Sequence, residues 1–396
     1  MNKAFQIKND LHWVGAIDWN LRDFHGYQTE KGSTYNSYLL VDEKPILFDA
    51  VKAPFVDEAL QRISTVIDPS KIKYIVVNHV EMDHSGGLSA FIDRIKPEKI
   101  FCSQKAKEAL LLHFHRPDWP YSVVKSGDKI NVGKHNISFI ETPMLHWPDS
   151  MFSYIEEEKV LISSDAFGQH FATSKRFDSD VDYGELVHQA AKYYANIILP
   201  YSSLVQKLLK SVQNSGLKIE MIAPDHGLIW KEYVSDILKS YNDWSFPKLK
   251  RKAVVVYDTM WKSTEKMALA AAEGLISQNV ETIVMKLGEC HRSDVITQLL
   301  DSSAIVVGSP TLNNEILPRM ADMLTYMKGL KVPGRAGFAL NSYGWNPGVL
   351  QKLNTELMAS GITAIDEGIG VKYVPENKEL ERCFELGIKL SEKIIL

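Results

Sequence analysis

The stretch YIVVNHVEMDHSGG, residues 74–87, decides how the first half of this 396-residue chain is read. Its opening run, Tyr74-Ile75-Val76-Val77, is apolar without interruption, the pattern of a strand buried on both faces. Two histidines and two acids then crowd into six positions: His79, Glu81, Asp83 and His84. On an extended chain alternate residues point the same way, so His79, Glu81 and Asp83 are expected on one side. His84 should turn in beside them as Ser85-Gly86-Gly87 opens a helix. Further along, the same kind of residue recurs at the ends of apolar runs. His146 stands in TPMLHWPDS, Asp165 in LISSDAFG and His226 in IAPDHG.

Together these residues offer three or four imidazoles and three carboxylates, too many for one tetrahedral ion. They suit two ions that share a carboxylate. Imidazoles with a single acid would favour zinc, whereas the added oxygen and negative charge of Glu81 favour iron or manganese and a redox role.

The surrounding pattern sets the fold class. In the first half, TYNSYLLVDEKPILFDA (34–50) predicts a hairpin turning at Asp42-Glu43-Lys44, and MFSYIEEEKVLISSDA (151–166) a second one turning on its glutamates. Helices are expected from about Gly87 and Gln104, then over about 184–197 and 203–215. A short strand at Met221-Ile222-Ala223 follows. This mixture predicts two sheets flanked by helices. The basic, proline-containing SFPKLKRK (245–252) marks a break, giving expected domains of residues 1–248 and 252–396. The second half alternates more regularly. Strands at 253–257, 282–287, 303–309 and 335–340, and a weak one near 362–366, are separated by helical segments, which predicts a doubly wound parallel sheet.

In such a sheet ligands bind beyond the carboxyl ends of the strands. Three loops are expected there. The first, DTMWKSTEKMA, carries Thr259, Met260, Trp261, Lys262, Ser263 and Thr264 into a helix whose N-terminal N–H groups and hydroxyls could cradle a phosphate. The second, GSPTLNNEILP, brings Ser309, Pro310, Thr311, Asn313 and Asn314. The third, NSYGWNPG, brings Ser342, Tyr343, Gly344 and Trp345. A flat isoalloxazine ring could stack on Trp261, Tyr343 or Trp345, and the three loops together point to FMN.

Bulk properties narrow the classes further. The formal net charge of −4 gives no basic face for nucleic acid. No run approaches the length of a membrane span, and the N-terminus lacks a signal-peptide core. Three scattered cysteines, Cys102, Cys290 and Cys383, argue against a disulfide framework or an in-chain rubredoxin-type site, and for a reducing, cytoplasmic setting.

The pattern His79-x-Glu81-x-Asp83-His84, with His146, Asp165 and His226 ahead of a flavodoxin-like DTMWKSTEKMA, resembles the flavodiiron proteins (A-type flavoproteins) of the rubredoxin–oxygen oxidoreductase or nitric oxide reductase type. The resemblance extends over VGAIDWN (14–20), LRDFHG (21–26), MLHWPDSM (144–151), DAFGQH (165–170) and YYANI (193–197). It implies a metallo-β-lactamase-like αββα sandwich followed by a flavodoxin-like doubly wound parallel sheet. It also implies two non-haem iron ions and FMN. Carried over, His79, Glu81 and His146 would hold one iron, Asp83 and His226 the other, with Asp165 bridging. Whether His84 also reaches a metal is left open. Glu81 replaces the histidine of the related hydrolases and is the family's iron-selecting change.

The implied reaction is reduction of dioxygen to water, or of nitric oxide to nitrous oxide. Overall likeness points toward dioxygen. Electrons are expected from a separate carrier such as rubredoxin, or in some relatives a reduced deazaflavin, and a head-to-tail homodimer or dimer of dimers would set each flavin against its partner's irons. His25, His170, Tyr193 and Tyr194 are candidate proton donors. Two other readings compete: a zinc-dependent hydrolase with an accessory flavodoxin domain, against which Glu81 argues, and a flavin-only carrier or sensor, against which the unused metal ligands argue.

Overall fold

A computed structural model describes residues 2–246 and 248–394. The chain folds as two compact units. The first runs to His25 and continues through Thr29–Tyr194 and Tyr201–Asn242; the second takes Gly26–Gln28, Ala195–Pro200 and the chain from Asp243 onward. The short segments 26–28 and 195–200 were not separable in the sequence, because only their spatial neighbours assign them.

The first unit is a sandwich. One sheet has the strand order Phe5–Lys8, Leu11–Trp13, Tyr38–Leu40, Ile46–Phe48, Tyr74–Val77, Lys99–Cys102, Tyr121–Val123. The other runs Lys129–Asn131, Asn136–Glu141, Met151–Ile155, Val160–Ile162, Met221–Ala223. Both expected hairpins form, pairing Tyr38 with Phe48 and Ser153 with Ile162. The strand Tyr74–Val77 shows why an unbroken apolar run was needed. Its Tyr74 and Val76 join the core between the sheets, with Phe48, Phe101, Phe139 and Ile162. Its Ile75 and Val77 face the other way and pack with Ile63, Phe91 and Leu110 of the helices Val56–Ser64, Leu88–Ile95 and Gln104–Phe114. Fully burying each such side chain contributes about 1.5–3 kcal/mol.

One local expectation fails. The chain beyond His79 does not stay extended, because Met82–Ser85 forms a helical turn with Glu81 at its N-cap. Asp83 therefore leaves the side shared by His79 and Glu81 and turns with His84 toward a different set of residues.

In the second unit the sheet order is Glu281–Lys286, Lys250–Tyr257, Ser302–Leu312, Arg335–Tyr343, Ile362–Ala364, all parallel. In chain order this is 2-1-3-4-5, the flavodoxin-like arrangement, whose switch point lies between the first and third strands. Ile369–Lys372 adds a further parallel segment beside Leu340–Tyr343, which the sequence did not predict. The two middle strands also run further than expected. Ser309–Leu312 and Asn341–Tyr343 are strand rather than loop. Asn313 and Asn314, with φ of 50° and 64°, make the two-residue turn that folds Glu315–Ile316 back on the strand end. Asparagine tolerates that left-handed backbone better than most residues.

Candidate functional site

Each metal-ligand candidate of the first unit lies just beyond a strand. His79 and Glu81 follow Tyr74–Val77, His146 follows Asn136–Glu141, Asp165 follows Val160–Ile162 and His226 follows Met221–Ala223. The parallel pairing of Val160–Ile162 with Met221–Ala223 sets Asp165 and His226 side by side.

The seven residues form two groups, His79, Glu81, His146 and Asp165 in one and Asp83, His84 and His226 in the other. In the first, His146 Nε2 lies 3.2 Å from Glu81 Oε2 and 2.9 Å from Asp165 Oδ2. His79 Nε2 lies 3.4 Å from each of the same two oxygens. In the second, His84 Nε2 is 3.0 Å and His226 Nε2 3.5 Å from the other Asp165 oxygen, Oδ1. Asp83 gives Oδ1 to His84 at 3.4 Å and Oδ2 to His226 at 3.1 Å. Ligand atoms bonded at about 2.0–2.2 Å to one ion stand about 3–3.5 Å apart, so both groups have the spacing of a coordination shell. His84, left open by the sequence, points Nε2 into the second group.

Electrostatics supports the same fit. The oxygens of Asp83 and Asp165 and both ring nitrogens of His84 are buried without a hydrogen bond. Burial works against charge here, yet the neighbouring groups favour it. Hydrogen bonds to Asp149 and Glu81 push His79 up to about 10, and Asp165 and Glu81 push His146 up to about 8. The His84 imidazole rises well above its ordinary value beside Asp83 and Asp165. Against the same desolvation, Asp165 is held well below the carboxylate range by His84 and His146, and Glu81 below it by His146 and His79. A cage of three carboxylates facing four imidazoles, with buried oxygens and ring nitrogens left without hydrogen bonds, fits a pair of cations.

Contacts that the sequence did not reveal orient the imidazoles. His79 Nδ1 is 2.9 Å from Asp149 Oδ2, and His226 Nδ1 donates to the Thr34 carbonyl at 2.6 Å. Asp149 follows His146 closely in TPMLHWPDS, but nothing in that spacing ties it to His79.

The proton-donor candidates are placed differently from one another. His25, with its side chain 75% exposed, sets Nε2 3.0 Å from Glu81 Oε1. His170 is buried against Ser33 Oγ at 2.7 Å, and burial with the neighbouring His226 keeps it well below its ordinary pKa. The Tyr193 ring packs 5.1 Å from His170 and 6.0 Å from His226, and burial followed by the charge of Asp165 holds its phenol protonated. Tyr194 directs its hydroxyl to Ser202 at 2.9 Å and packs on Tyr241. A pocket of about 610 Å³, lined by Phe24, His25, Lys52, Pro54, Met82 and Trp147, opens onto Glu81 and Asp83.

In the second unit a cavity of about 380 Å³ lies beyond the strand ends. Ten of the expected residues line it: Met260, Trp261, Ser263, Pro310, Thr311, Asn313, Ser342, Tyr343, Gly344 and Trp345. Leu312, Tyr373 and Val374 line it too and were not anticipated. Trp261 and Trp345 are 89% and 79% exposed, as aromatics awaiting a planar partner would be. The helix Ser263–Ile276 starts here with no side-chain cap at Lys262, which holds a left-handed φ of 67°. Thr259 Oγ1 nearby is buried with no partner. Free helix N–H groups and an unused hydroxyl fit a phosphate. The remaining expected residues are committed to the protein itself: Thr264 bonds Ser342 at 2.9 Å, Ser309 receives the Leu317 N–H, and Asn314 accepts from Asn346 at 3.0 Å.

A sandwich carrying two adjoining groups of metal-ligand residues, joined to a flavodoxin-like unit with an aromatic cavity at its switch point, defines a metal- and flavin-dependent oxidoreductase. Residues 34–227 match the family described as ODP family beta lactamase, and residues 255–387 match flavodoxin. The chain is 45% identical to the nitric oxide reductase of Moorella thermoacetica over the whole of both chains. Its fold superposes on rubredoxin oxygen:oxidoreductase from Desulfovibrio gigas with a TM-score of 0.97 at 41% identity, covering 99% of this chain and 98% of that one. The flavodiiron protein of Giardia intestinalis gives 0.96 at 34%, covering 100% and 97%. The chain belongs to the flavodiiron proteins, oxidoreductases with FMN and a non-haem diiron centre.

Proposed function

We propose that the chain reduces dioxygen or nitric oxide at two irons, with electrons passed through FMN from a rubredoxin-type donor. The observation that carries this reading is Asp165, whose two oxygens face two different ligand groups. In this reading His79, Glu81 and His146 hold one iron, Asp83, His84 and His226 the other, and Asp165 bridges them. FMN lies among Thr259–Thr264, Ser309–Asn314 and Ser342–Trp345. The residue-level domains are 1–248 for the irons and 252–396 for the flavin.

Bound there, the two ferrous ions and the reduced flavin supply the electrons for breaking down the gas; the protein sets their surroundings. Three carboxylates, Glu81, Asp83 and Asp165, offset most of the charge of two divalent ions. His25 can pick up protons from water at its exposed edge and hold them 3.0 Å from Glu81. His170 and Tyr193, kept neutral by burial, wall the cluster without adding charge. The apolar side chains of Phe24, Met82 and Trp147 at the pocket favour an uncharged diatomic over hydrated anions.

A head-to-tail dimer, in which one protomer's exposed Trp261 and Trp345 approach its partner's pocket over Glu81, belongs to this reading. So do a cytoplasmic setting and dioxygen as the favoured gas. The matching relatives are named for both gases. The test is gas consumption by the iron- and FMN-loaded protein driven by reduced rubredoxin. Loss of dioxygen or nitric oxide is expected; ester hydrolysis that needs no reductant, with neither gas consumed, would overturn the reading.

A further inference from the structure

A histidine that offers Nε2 to a metal carries its proton on Nδ1, and that N–H needs an acceptor to fix the ring. His79 has Asp149 and His226 has the Thr34 carbonyl. His84 has no hydrogen bond at Nδ1. Among the described residues, the carboxylate nearest that nitrogen belongs to Asp225, with Oδ2 3.6 Å away.

Asp225 is fully buried and neither of its oxygens accepts a hydrogen bond. A second buried carboxylate outside the two ligand groups, Asp49, is fully engaged: Oδ1 accepts from the Asn78 N–H at 2.7 Å and Oδ2 from Asn78 Nδ2 at 2.6 Å. Asp49 therefore ties down the chain before His79, and Asp225 has no such task. Its backbone is pinned on both sides, the N–H donating to the Ser164 carbonyl at 2.8 Å and the carbonyl accepting from Asn36 at 2.7 Å. The loops that present Asp165 and His226 thus also fix the Asp225 carboxylate behind His84. A donor and an acceptor, both buried and both unsatisfied, face each other across slightly more than hydrogen-bond distance, and leaving either alone is costly.

We propose that Asp225 is the positioning residue for His84, accepting its Nδ1–H and so holding Nε2 toward the second iron. The inference rests on the reading that Asp83, His84, His226 and Asp165 hold that iron. Asp225 acts through His84 and touches neither metal nor gas.

The test is anaerobic titration of metal-free, FMN-loaded protein with ferrous iron, comparing wild type with Asp225→Ala, Asp225→Asn, His84→Ala and the Asp225→Ala/His84→Ala double variant. Wild type should take two irons. Asp225→Ala should keep the first and bind the second about 10–100-fold more weakly, as His84→Ala does, and the double variant should be no weaker than His84→Ala alone. Asp225→Asn keeps size and an acceptor oxygen, and should recover part of the loss. Retention of the first iron shows that the metal-binding unit of each variant is folded. An unchanged second affinity in Asp225→Ala, or losses that multiply in the double variant, would overturn the proposal. Wild-type binding of both irons by His84→Ala would instead sink the His84 ligand assignment, and the role of Asp225 with it.

Discussion

Replacing Asp165 by alanine tests the dinuclear site at its shared residue. The carboxylate is buried and faces four imidazoles, His146 at 2.9 Å and His79 at 3.4 Å through Oδ2, His84 at 3.0 Å and His226 at 3.5 Å through Oδ1. A four-ligand metal site is worth about 12 kcal/mol in apparent binding free energy. One ligand of four then contributes about 3 kcal/mol, a factor of roughly 100 in affinity. Because Asp165 serves both groups, both affinities should fall by about that factor in Asp165→Ala. The remaining imidazoles would also lose the carboxylate that balances them, so the loss should not be smaller. FMN should stay bound, since its cavity is built on a separate core of Val255, Val306, Phe338 and Leu340. Ferrous titration with flavin absorbance on the same sample reads both. Weakening of one iron alone would refute the bridging role, and two irons bound as in wild type would refute the assignment altogether.

Three further perturbations probe other parts of the account. Glu81→His should raise the zinc-to-iron ratio of protein loaded from an equal mixture, because it exchanges a hard oxygen ligand for imidazole; an unchanged ratio would remove Glu81 as the selector. Trp345→Ala should weaken FMN binding about tenfold if the exposed indole stacks on the ring, as read by fluorescence titration of flavin-free protein, and an unchanged Kd would place the ring elsewhere. Away from the metals, His135 lies between Asp42 Oδ2 at 2.6 Å and Glu158 Oε1 at 3.3 Å. Burial opposes its charge, yet these carboxylates raise its pKa above the ordinary value of about 6.5. A raised folded pKa gives stability that is full below the unfolded value and is lost as pH rises through the folded one. The gap in urea midpoint between wild type and His135→Gln should therefore be wider at pH 6 than at pH 9, and a gap independent of pH would contradict the ion-pair assignment.

The sequence shows most clearly what depends on local pattern. The run Tyr74–Val77 had to be buried on both faces, and the alternation of strands and helices after Ala253 left little freedom for the second sheet. What it concealed depends on tertiary contact. The turn at Met82–Ser85 spans too few residues for a period of two or of 3.6 to be distinguished, so alternation alone sets Asp83 on the side of Glu81, and only the family resemblance pairs it with His226. Asp149 and Asp225 read as ordinary loop acids; only the folded chain brings them behind His79 and His84. Ser309–Leu312 and Asn341–Tyr343 look like loops because small and polar residues dominate them. They remain strand because each pairs with the other across the register Ser309 to Asn341 and Pro310 to Ser342. The flavin cavity was legible through its aromatics, but Tyr373 and Val374 arrive from a segment with no signature of its own.

The central claim, that the His79–His226 constellation holds two irons in a protein that also holds FMN, is tested most directly by metal and flavin analysis of anaerobically purified protein. Two irons and one FMN per chain are the predicted result. Zinc in place of iron, at the same ligand residues, would contradict it.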